Sequence, residues 1–292
     1  MNFATSVHAL TEWGQPVKSF RQVLAEAAEL GYSGIMLMHV PGQHALTAAN
    51  PDPPGAMLDL AQSDLGFVRE VVEEAGLTVA CVYQGLMKVG DEAEMAGTIR
   101  GLTDLAKWGE ALGTNIVLPN AGAAPQPQMP AAEKRELVER VARVLTEAVH
   151  ASPAGTRIAP DIHYGGILET VADCEELFRL TTEPRVGIAL NIGHMTTLHQ
   201  EGWRLLEDHA DRVPVVAWKD HLLQPPAGHT HPIYSVELGT GDSPFAEYAR
   251  RLPADGGPHL HLITFEHVPL EQKKDSLGRS LQYLQKLWAQ TH

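Results

Sequence analysis

The chain has little of what would tie it to a disulfide scaffold, a membrane or a nucleic acid. Two cysteines, Cys81 and Cys174, stand in 292 residues. They cannot build a disulfide framework, and they suit a reducing, cytoplasmic setting. No apolar run approaches the roughly 18 residues of a membrane span. The start, Met1-Asn2-Phe3-Ala4-Thr5-Ser6-Val7-His8, lacks the basic and apolar pattern of a secretory signal. Basic residues are outnumbered 36 to 22, for a net charge of −14, which opposes binding to a phosphate backbone. Low-complexity tracts and like-charge blocks are missing, and so is a Gly-rich dinucleotide fingerprint after the first apolar run. What is present is an apolar fraction of 44%, enough for a core and too much for disorder, together with 15 histidines.

A short apolar run followed by an amphipathic stretch recurs along the chain. Strands are expected at Asn2 to Ala9, Gly34 to Val40, Leu77 to Tyr83, Asn115 to Pro119, Thr156 to His163, Val186 to Asn191, Val213 to Trp218 and Leu260 to Glu266. Helices are expected at Pro16 to Leu30, Asp59 to Ala75, Asp91 to Leu112, Pro130 to Ala151, Leu168 to Leu180, Thr197 to His209, Ser243 to Leu252 and Leu270 to Ala289. The Pro-rich pieces, Asn50 to Gly55 and Ala123 to Pro130, are short and read as loops rather than linkers. Eight strand-plus-helix units, with strands apolar on both faces, predict an α/β fold. The expected architecture is a single (β/α)8 TIM barrel over residues 1–292.

In such a barrel the site lies at the C-terminal ends of the strands. Those ends carry His8, His39, Tyr83-Gln84, Asn120, Asp161-Ile162-His163, Asn191-Ile192-Gly193-His194, Lys219-Asp220-His221 and Glu266-His267. One such residue alone is commonly a helix cap or a loop hydrogen bond. Acids, imidazoles and an ammonium at most of the eight ends point to acid–base work on a polar substrate or to a divalent cation. By contrast, His229 and His231 read as features of a mobile loop. Gly239-Thr240-Gly241 reads as a turn into a helix, and the two cysteines read as core thiols.

Five ordered motifs resemble the xylose isomerase-like TIM-barrel superfamily, which also contains sugar phosphate isomerases and epimerases and relatives of AP endonuclease family 2. They are Ile158-Ala159-Pro160-Asp161-Ile162-His163, Gly187-Ile188-Ala189-Leu190-Asn191-Ile192-Gly193-His194, Ala217-Trp218-Lys219-Asp220, the segment Val236 to Phe245, and Phe265-Glu266. The resemblance covers residues 155 to 290, whereas the first half matches mainly in rhythm. It implies a divalent metal (Mn, Mg, Co or Zn) at positions that fall on Asp161, Asn191, Ala217 and Glu266. Alanine cannot ligate, so the metal is expected to be weakly held or lost unless His163, His194 or His221 replaces the missing ligand.

The resemblance further implies proton abstraction beside a carbonyl by Asp161 and Glu266. Lys219 would then meet the developing oxyanion and His194 would orient a hydroxyl. His8, His39, Gln84, His163, Asp220 and His221 are the expected substrate contacts. The expected activity is that of a sugar or keto-sugar isomerase or epimerase. The alternatives are a lyase or dehydratase on a related polyol or glycoside, and a non-catalytic barrel that binds a ligand or a partner subunit. The expected partner is a small sugar-like molecule, with a homo-oligomer as the expected assembly, and neither nucleic acid nor membrane is expected to bind.

Overall fold

The computed structural model describes residues 2–11, 18–120, 122 and 129–292. The expected start of the first helix at Pro16 and most of the stretch 123–130 lie outside the described residues. Eight parallel strands share one sheet: β1 (Phe3–Ser6), β2 (Gly34–His44), β3 (Thr78–Leu86), β4 (Ile116–Asn120), β5 (Arg157–Ile158), β6 (Ala189–Asn191), β7 (Val215–Trp218) and, last in the chain, β10 (Leu260–Ile263). Their order is β5-β4-β3-β2-β1-β10-β7-β6. The two outer strands meet through parallel bridges, Ile158 with Val186 and Asp161 with Ala189, which close the sheet into a barrel. A two-stranded antiparallel piece, β8 (Asp220–His221) with β9 (Ser235–Val236), lies between β7 and β10 in the chain.

The helices are α1 (Phe20–Glu29), α2 (Leu65–Glu74), α3 (Glu92–Ala111), α4 (Ala131–Ala151), α5 (Val171–Leu180), α6 (Ile192–Thr197), α7 (Arg204–Asp208), α8 (Phe245–Ala249) and α9 (Leu270–Thr291). Several start where a side chain satisfies a free backbone N–H. Ser19 and Gln22 form a reciprocal cap on α1, as Thr170 and Asp173 do on α5, and Asp64 and Asp91 cap α2 and α3. Each long helix buries one stripe: Val138, Val141, Val144, Leu145 and Ala148 on α4, and Leu277, Leu281, Leu284 and Trp288 on α9. Burying one such Val or Leu is worth about 1.5–3 kcal/mol. No helix among the described residues is long and apolar enough to cross a membrane.

Several stretches differ from expectation, among them the first strand, which ends at Ser6 where a short helical turn begins at Val7. The segment 59–64 is not helical, because Asp59 ties its own turn to the end of β2, accepting from the N–H groups of Ala61 and Gly42. The stretch expected as one helix from Thr197 to His209 is broken. His199 takes a left-handed φ of 52°, so α6 ends before it and α7 starts after it. The fifth and eighth strands are shorter than expected, at Arg157–Ile158 and Leu260–Ile263, although backbone pairing continues at Asp161 N–H to Pro119 O (2.8 Å) and Thr264 N–H to Trp218 O (3.3 Å).

Candidate active site

Strand alternation decides which side chains enter the barrel. Met36 and Met38 of β2, Tyr83 of β3 and Leu118 of β4 line a cavity of about 330 Å³. So do Asp161 and His163 after β5, Ala217 and Lys219 on the β7 line, and Leu262, Thr264 and Glu266 on the β10 line. His8, from the short helical turn after β1, and Lys273 of α9 complete it. The floor is apolar and the rim carries the chemistry, so charges at the rim act in a poorly screened setting.

Two charge centres face this space. Asp161 accepts from Asn191 Nδ2 at 3.0 Å, and its other oxygen lies 3.4 Å from His163 Nδ1. Lys219 Nζ donates to Glu266 Oε1 at 2.7 Å, with only 2% of the lysine side chain exposed. Glu266 keeps 42% of its side-chain surface accessible. The Lys219 ammonium holds the Glu266 carboxyl well below the usual carboxylate range, against the opposing pull of burial. His8 is pushed down to about 4 by burial and is neutral near pH 7, and its Nε2 pairs with Thr264 Oγ1 at 3.1 Å. Lys273 donates to the Thr11 carbonyl.

Other strand-end residues take different positions. His39 turns away from the cavity, accepts from Leu60 N–H at 3.2 Å and meets the edge of Trp108 on α3. Gln84 also turns outward and packs against α3, where a Cβ on Gly101 would lie 3.1 Å from its Nε2. Asp220 accepts from the N–H groups of Gly239 (2.8 Å), Gly241 (2.9 Å) and Ser243 (3.0 Å) and so anchors that turn. The turn passes so close that a Cβ on Gly241 would sit 2.5 Å from Asp220 Oδ1, which requires glycine there.

His194 and His221 form a buried row with His163 behind the rim, with ring centroids 4.1 Å and 4.9 Å apart. His194 accepts from Tyr164 N–H, and His221 Nδ1 pairs with Thr197 Oγ1 at 2.8 Å. Burial pushes His194 well below its ordinary value and His221 down to about 3, so both rings are neutral near pH 7. Thus Asp161, Glu266, Lys219, His8 and His163 share the cavity, whereas His39, Gln84, Asp220, His194 and His221 are not among its described lining residues.

Tyr83, Thr264 and Lys273 also line the cavity: Tyr83 was named at its strand end but passed over for Gln84, and the other two were not named from the sequence. Parity would have found the first. Counting in twos along β3 from the buried Cys81 selects Tyr83 over Gln84, as counting from Met36 and Met38 rejects His39. Lys273 comes from the helical side of the sequence, where nothing marks an inward-reaching lysine.

A model of the family described as xylose isomerase-like TIM barrel matches residues 24–287. The chain belongs to that family. This xylose isomerase-like barrel superposes on the IOLI protein solved with a bound zinc atom (TM-score 0.77, 15% identity, 100% of this chain and 99% of that one). It is also similar to an L-ribulose 3-epimerase (TM-score 0.73, 16% identity, 100% and 96%) and to a probable 3-DHS dehydratase from Bacillus anthracis (TM-score 0.72, 17% identity, 98% and 99%). Likeness at this identity carries the fold. No curated protein sequence matches the chain.

The donor set here does not fit a divalent ion held in the way the family resemblance implies. Ala217 brings no donor, Asn191 turns its amide nitrogen to Asp161, and the Lys219 ammonium sits on Glu266. Among the described residues no group of three His, Cys, Asp or Glu side chains is placed to hold a metal.

Proposed function

We propose that the chain isomerises a small polyhydroxylated aldehyde or ketone by moving a proton at the carbon beside the carbonyl. The observation that carries this reading is the division of labour around the cavity. A carboxylate held by an amide stands on one side, and a buried ammonium and its partner carboxylate stand two and three strands away around the ring. Asp161 takes the proton from carbon, its orientation set by the Asn191 amide. Lys219 donates to the carbonyl oxygen as negative charge develops there, in a cavity whose apolar floor strengthens the interaction. Turning to the substrate takes Lys219 off Glu266, which regains the basicity that the ammonium suppressed. Glu266 then takes the hydroxyl proton, Lys219 gives one to the other oxygen, Asp161 returns its proton to the neighbouring carbon, and Glu266 passes its proton back to Lys219 to restore the resting pair. Glu266, held ionised at rest, suits work at oxygen better than donation to carbon, so a one-base isomerisation is favoured over a two-base epimerisation.

Incubation of a panel of aldoses and ketoses in heavy water, followed by proton NMR, tests this. The expected result is deuterium entry beside the carbonyl of one compound and a product of unchanged composition apart from the label. Asp161→Asn is expected to cut that exchange roughly 10²- to 10⁴-fold. Glu266→Gln is expected to stop interconversion while leaving some exchange at carbon. A product that has lost water would move the assignment to a lyase. Exchange unchanged in Asp161→Asn would sink the assignment of the base.

A further inference from the structure

We infer that Lys219 stands in place of a divalent cation, so that its ammonium and a metal ion are mutually exclusive occupants of this cavity. This deepens the function proposed above and rests on it for the catalytic role of Lys219. Three features of the site agree with the lysine as its resident cation. First, the ammonium is buried and 2.7 Å from Glu266, so the carboxylate of the eighth strand is already neutralised from within the protein. Second, Asn191 donates to Asp161 at 3.0 Å. A carboxylate at position 191 would set two negative charges at that separation, a pair that needs a cation between them; the amide converts the same contact into a hydrogen bond. Third, Ala217 of β7 lies two residues before Lys219 and also lines the cavity, where it offers a methyl group. One change removes a ligand, one removes a charge that only a metal would tolerate, and the lysine supplies a single positive charge at fixed position.

The test is Mn²⁺ titration of the 292-residue chain followed by electron paramagnetic resonance, which needs no substrate and so is independent of the activity proposed above. Mn²⁺ favours oxygen ligands and avoids the exposed imidazoles. The unchanged chain is expected to bind no Mn²⁺ in the cavity at micromolar concentration. Asn191→Asp with Ala217→His is expected to bind weakly, and adding Lys219→Met is expected to tighten binding about 100-fold, within the range that ligand charge tunes in such sites. Adding Lys219→Arg instead, which keeps the charge, is expected to leave binding weak. Thermal melts of each variant confirm that it is folded. The inference is overturned if the unchanged chain takes up one equivalent at micromolar concentration and loses it in Glu266→Gln. It is equally overturned if Lys219→Met and Lys219→Arg, in the doubly substituted chain, bind alike.

Discussion

Trp218 donates its indole N–H to Nδ1 of His261 at 3.1 Å, which leaves Nε2 as the protonated nitrogen, 3.0 Å from the Gly256 carbonyl. The neutral ring is fully used, and a second proton would break the bond to the tryptophan. Burial accordingly pushes His261 down to about 4. The unfolded chain binds that proton near pH 6.5. Between these values it holds more protons than the folded chain, so stability falls as pH drops from about 6.5 toward 4. His261 alone accounts for about 2 kcal/mol lost between neutral pH and pH 5. Urea unfolding at both pH values should show the loss, and His261→Gln should reduce it. A pH slope unchanged in that variant would remove His261 as its source.

The same scale shows what the sequence made legible at the site. Asp161, Lys219 and Glu266 could be named because they follow apolar runs and stand in ordered motifs. His39 and Gln84 stand one residue off the inward parity set by Met36, Met38 and Tyr83, and a histidine or glutamine at a strand end carries no mark of the face it will take. His194 and His221 lie behind the rim because the chain has left the barrel line there, at α6 and β8.

At the scale of elements, the turn from Gly239 to Ser243 depends on one side chain. Asp220 collects three backbone N–H groups, and its neighbours in the chain are Lys219 and His221. Burial raises the Asp220 carboxyl above its ordinary range, against the lowering effect of those donors. Asp220→Ala is expected to cost about 3 kcal/mol in urea unfolding, since three partly buried donors lose a charged acceptor. It should also slow turnover by loosening Lys219, with KM changed less than kcat. A variant with unchanged stability would show that the turn holds without its anchor. Elements with strong periodicity and caps, such as α3 behind Asp91 and α4, matched the sequence closely. The broken stretch around His199 did not, because no sequence rule marks a left-handed histidine.

At the scale of the whole molecule, the recurring rhythm of eight units was enough to read the barrel, because every unit repeats the same burial problem. The bonding of its closing edge was not legible, since β5 is two residues long and Pro160, in the middle of that edge, has no N–H to give. The edge is held by Ile158, Gly187, Ala189 and Ile162 N–H groups bonding to carbonyls across it.

The pairing of Lys219 with Glu266 also sets how substrates arrive. The Lys219 ammonium is cancelled by Glu266 at rest, while the chain as a whole carries −14. An anionic molecule therefore diffuses toward a mouth that offers it no long-range attraction, through a field that repels it. Added salt should raise kcat/KM for an anionic substrate and leave that of a neutral sugar nearly flat. Under the function proposed above, transport to the site, before any contact is made, already discriminates against anions.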